Sequence, residues 1–339
     1  MPQQPRTIEE ILPKKAVVLG PMAGITDAPF RAICKKLGAS LTYTEMVSAK
    51  GLHYNPQSRV SNSLLTVADQ EEYCAVQLFG AETEILAEQA AGVVERLGTQ
   101  LALIDINMGC PVKKVVSKGE GCALMCDPDL AARIAGSVVG ACKVPVTVKF
   151  RSGWDASSIN AVDFARLMES VGVAAVTVHA RTRGQFYQGH ADWNLIAEVK
   201  QAVRIPVVGS GDVFSADDVV AMFERTGVDA VMVARGARGN PWLFREARSL
   251  LDFAERLDPP SPLERVDVAR EHVASAVRAA GDAAVLRMRK HVAWYIFGLP
   301  GARQLRHELN VVKSPLDIDR LLLEYRASLA NQAQRGRGL

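Results

Sequence analysis

This sequence has no long apolar run, no net excess of either charge worth the name, and no glycine-rich nucleotide fingerprint. None of its hydrophobic stretches nears the roughly 18 residues that a membrane helix needs, so no membrane role is expected. The opening segment MPQQPRTIEEILPKK is polar and carries two acids. It is read as no secretory signal, and a cytoplasmic location is the expectation. No G-x-G-x-x-G follows a strand-like segment and no P-loop pattern occurs, which argues against an open dinucleotide-binding sheet. Cysteine is sparse and irregular: Cys34, Cys74, Cys110, Cys122, Cys126 and Cys142. Cys122 and Cys126 come nearest to a metal pair, but no second pair follows and no histidine lies nearby, so no metal site is expected. In a reducing compartment most of these thiols read as small buried hydrophobes.

What is present is a 339-residue chain, 48% hydrophobic and 23% charged, the profile of a globular protein with a real core. Its formal charge of +3 is unevenly placed. From residue 261 onward there are 13 Lys/Arg against 8 Asp/Glu, whereas the rest carries 27 against 29. A basic tail can meet a polyanion or simply be a solvated helical face, and charge alone leaves both open.

Eight short apolar runs punctuate the first 236 residues: AVVLGPMAG (16–24), SLTYTEM (40–46), CAVQLFG (74–80), LALIDINMG (101–109), VPVTVKF (144–150), AAVTVHA (174–180), IPVVGSG (205–211) and DAVMVARG (229–236). Each is rich in Val, Ile or Thr and almost continuously apolar, as suits parallel strands buried on both faces. Amphipathic stretches separate them, such as ETEILAEQAAGVVERLG (82–98) and SADDVVAMFERTG (215–227). The spacing predicts an α/β chain, a (β/α)8 TIM barrel over residues 1–255. After the proline-rich break LDPPSP (257–262), helical periodicity predicts a small helical bundle over 256–330, with 331–339 expected to be a disordered tail.

In such a barrel the active site gathers at the C-terminal ends of the strands. The residues there include Pro21-Met22-Ala23, Glu45-Met46, Gln77, Asn107 and Cys110, Lys149 and Arg151, His179 and Arg181, Ser210-Gly211-Asp212 and Ala234-Arg235-Gly236. Buried Gln, Lys and His on one rim need polar partners, which a ligand would supply. GSGD and ARGARGN, after the last two runs, offer glycines and Arg235 and Arg238 for a phosphate. Plain glycine turns are the alternative, and for Lys149 a salt bridge inside the barrel. Composition and spacing reach a barrel with a phosphate site and stop there.

LGPMAGITDAPFR (19–31), DINMGCPVKKV (105–115), VQLFG, VKFRSGW, VTVHARTR, GSGD, ARGARGNPW and RKHVAWYIFGLPGARQLR (289–306) together resemble the tRNA-dihydrouridine synthase family. The likeness covers about residues 15–310, is most specific at the cysteine segment, and is closest to the bacterial B-type branch. The resemblance implies an FMN-containing barrel joined to a helical tRNA-binding domain. It implies Cys110 as the catalytic acid, protonating uracil C5 after hydride from flavin N5 reaches C6, with NADPH or NADH as reductant. Pro21, Met22 and Ala23 are then expected to line the flavin, and Gln77 and Lys149 to contact its rings. His179, Ser210, Gly211, Asp212, Ala234 and Arg235 are expected to hold its ribityl and phosphate parts. Asn107 falls beside flavin and uracil, and Arg181 on the substrate. Arg287, Arg289, Lys290, Arg303 and Arg306, with Trp294 and Tyr295 among them, are expected to track the tRNA backbone, and Lys113 and Lys114 to meet RNA near the site. A monomer is expected.

Ser210 stands where the family usually has Asn, and Ala234 where it usually has Gly; slightly altered flavin contacts follow. Cys122 and Cys126 are unusual for the family and are read as packing residues. Two rival readings are a flavin barrel acting on a free pyrimidine, which leaves the basic tail unexplained, and a mainly RNA-binding or remodelling protein, which leaves the polar rim unexplained.

Overall fold

The computed structural model describes residues 5–336. Its eight strands are β1 (Ala16–Leu19), β2 (Val47–Ser48), β3 (Cys74–Phe79), β4 (Leu101–Met108), β5 (Val146–Arg151), β6 (Ala175–His179), β7 (Val207–Ser210) and β8 (Ala230–Val233). They form one sheet in the order β1-β8-β7-β6-β5-β4-β3-β2, every pairing parallel. The segment before β2 closes it. Ser40 and Tyr43 donate to the carbonyls of Val17 and Leu19 at 2.8 and 3.1 Å, and Thr44 donates to Ala75 at 2.9 Å. The closed (β/α)8 barrel expected from the strand–helix alternation is what forms.

The second strand departs from its expected span. Over 40–46 the pairing reduces to bridges at Thr42 and Tyr43, and regular β2 begins only at Val47. Side chains take over ladder partners there: Thr44 Oγ1 accepts the Gln77 amide at 3.1 Å, and the Glu45 carboxylate accepts the amide of Gly24.

Period-2 alternation sorts each strand's residues. On β4, Ile104, Ile106 and Met108 join the layer between sheet and outer helices, which leaves Asp105 and Asn107 on the barrel's interior. On β5 the same rule sends Val148 and Phe150 outward and leaves Thr147, Lys149 and Arg151 inside. The parallel register then sets Asn107 level with Lys149, Arg151 with His179, and His179 with Ser210. The lower interior is apolar, filled by Ala16, Val18, Tyr43, Leu103, Val208 and Met232, and Ile11 and Leu12 of the first helical turn plug its base. The predicted helix over 215–227 forms as Ala216–Thr226, with a reciprocal Ser215–Asp218 cap and a left-handed Gly227 at φ +66°.

Beyond the helix Leu243–Phe253 lie four more, labelled α1 (Pro262–Ala280), α2 (Ala284–Tyr295), α3 (Ala302–Leu309) and α4 (Pro315–Gly336). They share a separate apolar core that includes Val266, Met288, Val292, Leu305 and Leu322. The tail expected over 331–339 begins inside α4, which runs on through residues 331–336; residues 337–339 lie outside the described residues. Among the described residues no helix is long and apolar enough to cross a membrane.

The four helices dock on the barrel through buried contacts near the β1 loop. Trp242 and Tyr295 meet at 6.1 Å between ring centroids. His272 stacks on Phe30 at 5.5 Å, His291 lies 4.6 Å from His272, and Arg287 pairs with Asp27 at 3.0 Å. Asp27 is held down to about 2: burial opposes this, and the His272 hydrogen bond with the charges of His272 and Arg287 outweighs it, whereas His291 is brought down to about 3 mainly by burial.

Candidate active site

The strand ends open into one cavity of about 530 Å³. Pro21, Met22, Ala23, Gln77, Asn107, Cys110, Lys149, His179, Ser210, Gly211, Asp212, Ala234 and Arg235 all line it. Seven separate chain segments supply them, and only barrel closure makes them neighbours.

A hydrogen-bonded relay runs across its floor. Thr147 Oγ1 and Gln77 Nε2 both donate to the buried carboxylate of Asp105, each at 2.6 Å. Gln77 Oε1 accepts from Asn107 Nδ2 at 2.8 Å, and Asn107 Oδ1 accepts the amides of Gly109 and Cys110 at 3.1 and 2.9 Å. An acceptor-only carboxylate at the bottom therefore dictates which way both amides point. Arg151 holds the same loop from the other side, donating from Nε to the Gly109 carbonyl at 2.9 Å. Its Nη1 reaches the carbonyls of Thr182 and Phe186 at 3.0 and 2.9 Å, tying the cysteine loop to the loop after β6.

The charges are set by burial. Asp105 is pushed up to about 6 by burial, against the bonds from Gln77 and Thr147 and the charge of Lys149. Lys149 is brought down to about 8 by burial and by the charge of Arg151. Burial, then Lys149 and the nearby arginines, keep His179 well below its usual range and neutral. Burial also raises the Cys110 thiol, against a backbone hydrogen bond from Val112 and the charges of Arg151 and Lys149. Cys110 thus keeps its proton at neutral pH.

The loops after β7 and β8 form an anion cradle. Gly211 has φ +118°, and a Cβ there would lie 2.7 Å from Ala191 Cβ. At Gly236 a Cβ would fall 2.2 Å from the Val213 carbonyl oxygen, so only glycine lets the two loops touch. Among the described residues the amides of Asp212, Val213, Arg235 and Gly236 meet no protein acceptor. With the Arg235 guanidinium beside them they suit a phosphate.

Other expected site residues stand elsewhere. Arg181 is off the cavity: its side chain is buried and donates to the carbonyls of Gln188 and Gly189 at 3.1 and 2.7 Å and to Asp212 at 2.7 Å. It organises the loop that bears Phe186 and Tyr187, and its Nη1 meets no partner among the described residues. Asp212 lines the cavity, but its carboxylate is taken by Arg181, by Arg235 at 3.3 Å and by the Ala191 amide at 2.8 Å. Arg287 pairs with Asp27, and Arg289 donates to the carbonyl of Val312, while the Nε of each meets no partner among the described residues. Tyr295 is core, and Trp294 is half-buried. Lys113, Lys114, Lys290, Arg303 and Arg306 are exposed.

Arg151 and Arg238, read from the sequence as a strand-end residue and a phosphate cation, also line the cavity, and it takes three residues given no role from the sequence: Phe186, Tyr187 and Phe214. Tyr187 lies under Arg235, 4.6 Å from guanidinium carbon to ring centroid. RTRGQFYQG has no periodicity to place it; aromatics interleaved with arginines after a strand end were its one signal.

A parallel eight-stranded barrel with a thiol, a buried lysine and an anion cradle at its C-terminal mouth defines the class, a TIM-barrel enzyme. The comparisons narrow this. The family model described as dihydrouridine synthase matches residues 18–331. The chain is 42% identical over 325 residues to tRNA-dihydrouridine synthase B of Pseudomonas aeruginosa, covering 95% of each. It is 39% identical to a probable tRNA-dihydrouridine synthase of Rickettsia conorii, over 92% of this chain and 94% of that one. A Synechocystis protein named probable tRNA-dihydrouridine synthase 1 is 38% identical over 92% of this chain and 86% of its own length. Among solved structures, the 6-hydroxypseudooxynicotine amine oxidase of Pseudomonas geniculata superposes with a TM-score of 0.50 at 15% identity. The chain spans 77% of its own length and 50% of that oxidase in the superposition, a likeness of fold alone. The protein belongs to the dihydrouridine synthase family.

Proposed function

We infer that this chain is a tRNA-dihydrouridine synthase: it reduces uridine in tRNA to 5,6-dihydrouridine, with a flavin as the redox cofactor and a nicotinamide dinucleotide as reductant. The finer reading is FMN as the flavin and NADPH, or NADH, as the reductant. The observation that carries it is the meeting of Cys110, Asn107, Lys149, His179 and the cradle residues Asp212, Val213 and Arg235 on a single cavity.

The residues suit a flavin mononucleotide. Among the described residues Lys149 and His179 have no hydrogen-bond partner within the protein, although both are largely buried. A ligand rich in ring carbonyls and carrying one phosphate satisfies both and fills the cradle. Pro21, Met22 and Ala23 supply the apolar wall, Gln77 and Lys149 polar groups for the ring system, and His179, Ser210, Gly211 and Arg235 the ribityl and phosphate end. When bound, the flavin supplies hydride to C6 of the uracil.

The protein's part is to present and protonate the base. A stacked uridine hides its C5–C6 bond, so the target must be extruded into the mouth. Asn107 and the amides it fixes hold the Cys110 loop, and Arg151 ties that loop to the one bearing Tyr187. Cys110 Sγ keeps its proton, because burial raises it, until charge develops at C5 and the proton transfers. The exposed Lys113, Lys114, Lys290, Arg303 and Arg306 supply sequence-independent attraction for the RNA backbone. We read residues 1–255 as the catalytic domain and 256–330 as the tRNA-binding domain, acting as a monomer because one chain supplies every wall of the cavity. A tRNA substrate places it in the cytoplasm.

The test is incubation of the flavin-loaded protein with NADPH and unmodified tRNA, with dihydrouridine quantified by mass spectrometry and Cys110→Ala run alongside. Dihydrouridine from the unaltered chain and a large loss in the variant are expected. An enzyme that oxidises NADPH yet makes no dihydrouridine overturns the tRNA assignment.

A further inference from the structure

Beside the catalytic mouth lies a second, open cleft of about 700 Å³. The two share one wall, made by Phe214, Arg235 and Arg238. The opposite wall comes from the helical unit: Arg265 near the start of α1, Trp294 on α2, and Phe297 just beyond it.

The cleft's charge is one-sided, three arginines against the single carboxylate of Glu246. Two of the three are spoken for. Arg235 pairs with Asp212, and Arg265 donates to the carbonyls of Tyr295 and Phe297 at 2.8 and 2.7 Å. Arg238 is different. Its Nε donates to the Arg235 carbonyl at 3.3 Å, its guanidinium carbon stands 5.3 Å from the Trp294 ring centroid, and no carboxylate pairs with it among the described residues. The loop that carries it is pressed onto α2: a Cβ on Gly239 would lie 2.4 Å from the Trp294 carbonyl carbon. Cation and ring are thus held as one surface. Around them two aromatic rings face solvent, Phe297 at 68% exposure and Phe214 at 48%. Large apolar side chains left that open on a basic wall want a flat ligand.

A fixed guanidinium without an acid partner, flanked by open ring faces, matches a nucleotide: phosphate on the arginine, base on the rings. Resting on the tRNA reading of the first cavity, the geometry also says which nucleotide. A base extruded into the mouth stays joined to its neighbours, and the shared wall opens for one of them a path into this cleft.

We propose that this cleft is a second nucleotide subsite, which takes the RNA residue adjacent to the reduced uridine, with Arg238 on its phosphate and Phe297 stacked on its base. The subsite makes the enzyme grip two nucleotides of the strand, one in each cavity. A reductant's nucleotide shares this chemistry, so the test separates the two sources.

The measurement is steady-state reduction of unmodified tRNA by the full, flavin-loaded chain and by Phe297→Ala and Arg238→Gln, beside flavin reduction by NADPH without RNA. Phe297 is exposed, so its truncation leaves the fold intact, which thermal melting checks. Each substitution is expected to raise KM for tRNA by about tenfold, the loss of one stack or one phosphate contact. Arg238→Gln should also flatten the dependence of log KM on log salt by about 0.7. Slower flavin reduction by NADPH with unchanged KM for tRNA assigns the cleft to the reductant and overturns the RNA assignment. No change in either measurement overturns the subsite. Absence of dihydrouridine from the unsubstituted chain is a separate failure, that of the functional reading beneath it.

Discussion

Gln77 donates its Nε2 proton to Asp105 Oδ2 at 2.6 Å, and that bond orients both amides between the barrel floor and Cys110. An asparagine at 105 could present either oxygen or nitrogen, so the relay would lose its fixed direction. Asp105→Asn is therefore expected to lower kcat by about tenfold, through misplacement of the Cys110 loop, while KM for tRNA holds. The rate of Cys110 alkylation by iodoacetamide should change with it. An unchanged alkylation rate in a variant with lowered kcat would place the effect elsewhere.

Lys149, brought down to about 8, loses its charge as pH rises through that value, before the raised thiol of Cys110 ionises. The rate of uridine reduction should therefore fall on an alkaline limb near pH 8. Lys149→Arg keeps its charge to far higher pH and should move that limb upward. A limb that stays in place under this substitution excludes Lys149 as its origin.

The Cys110 thiol is raised by burial, so its alkylation should be slow at neutral pH and climb through the alkaline range. A rate already at its plateau below pH 7 is the signature of a thiolate nucleophile and is incompatible with an acid.

His291 and Asp105 pull stability in opposite directions. His291 has its folded pKa depressed to about 3, so the unfolded chain binds more protons between there and 6.5, and stability is lost as pH falls through that window. Asp105 is raised to about 6, so the folded chain binds more protons between 3.8 and 6, and stability is lost as pH rises. The two offset each other near pH 5. His291→Gln removes one of them. It should melt higher at pH 5 than at pH 7, by about 3 °C for roughly 1.4 kcal/mol, whereas the parent chain changes little. Calorimetric melts that run parallel for both chains would sink this account.

Arg181 is buried against Asp212 and two loop carbonyls, so Arg181→Ala breaks a buried pair at an expected cost of about 3–5 kcal/mol. It should weaken flavin retention, because Asp212 then meets Arg235 alone and leaves more negative charge beside the anion cradle, and leave KM for tRNA nearly unchanged. A selective rise in KM would restore Arg181 to the substrate.

The strand ends were legible because burial on both faces imposes apolar continuity, and a polar residue that interrupts it stands out. Gln77, Asn107, Lys149 and His179 were found on that ground. Residues 40–46 misled because their apolar content is a strand's, while Thr44 and Glu45 side chains replace main-chain partners in the fold. The bonds of Arg181 were hidden for a related reason. Position along the chain puts it at a strand end, but the loop that follows folds back over it.

By itself the sequence determined the barrel, its helical appendage and the family, since periodicity and a specific motif are local and survive in one dimension. Only the tertiary structure decided what each charge meets. Arg287, Arg289 and Arg238 look alike in the chain, yet one is bound to Asp27, one to a carbonyl, and one faces an open cleft. A guanidinium's role depends on what lies within a few ångströms of it. For these three, the neighbours come from segments 23 to 260 residues away or, for Arg238, from a helix more than 50 residues further on.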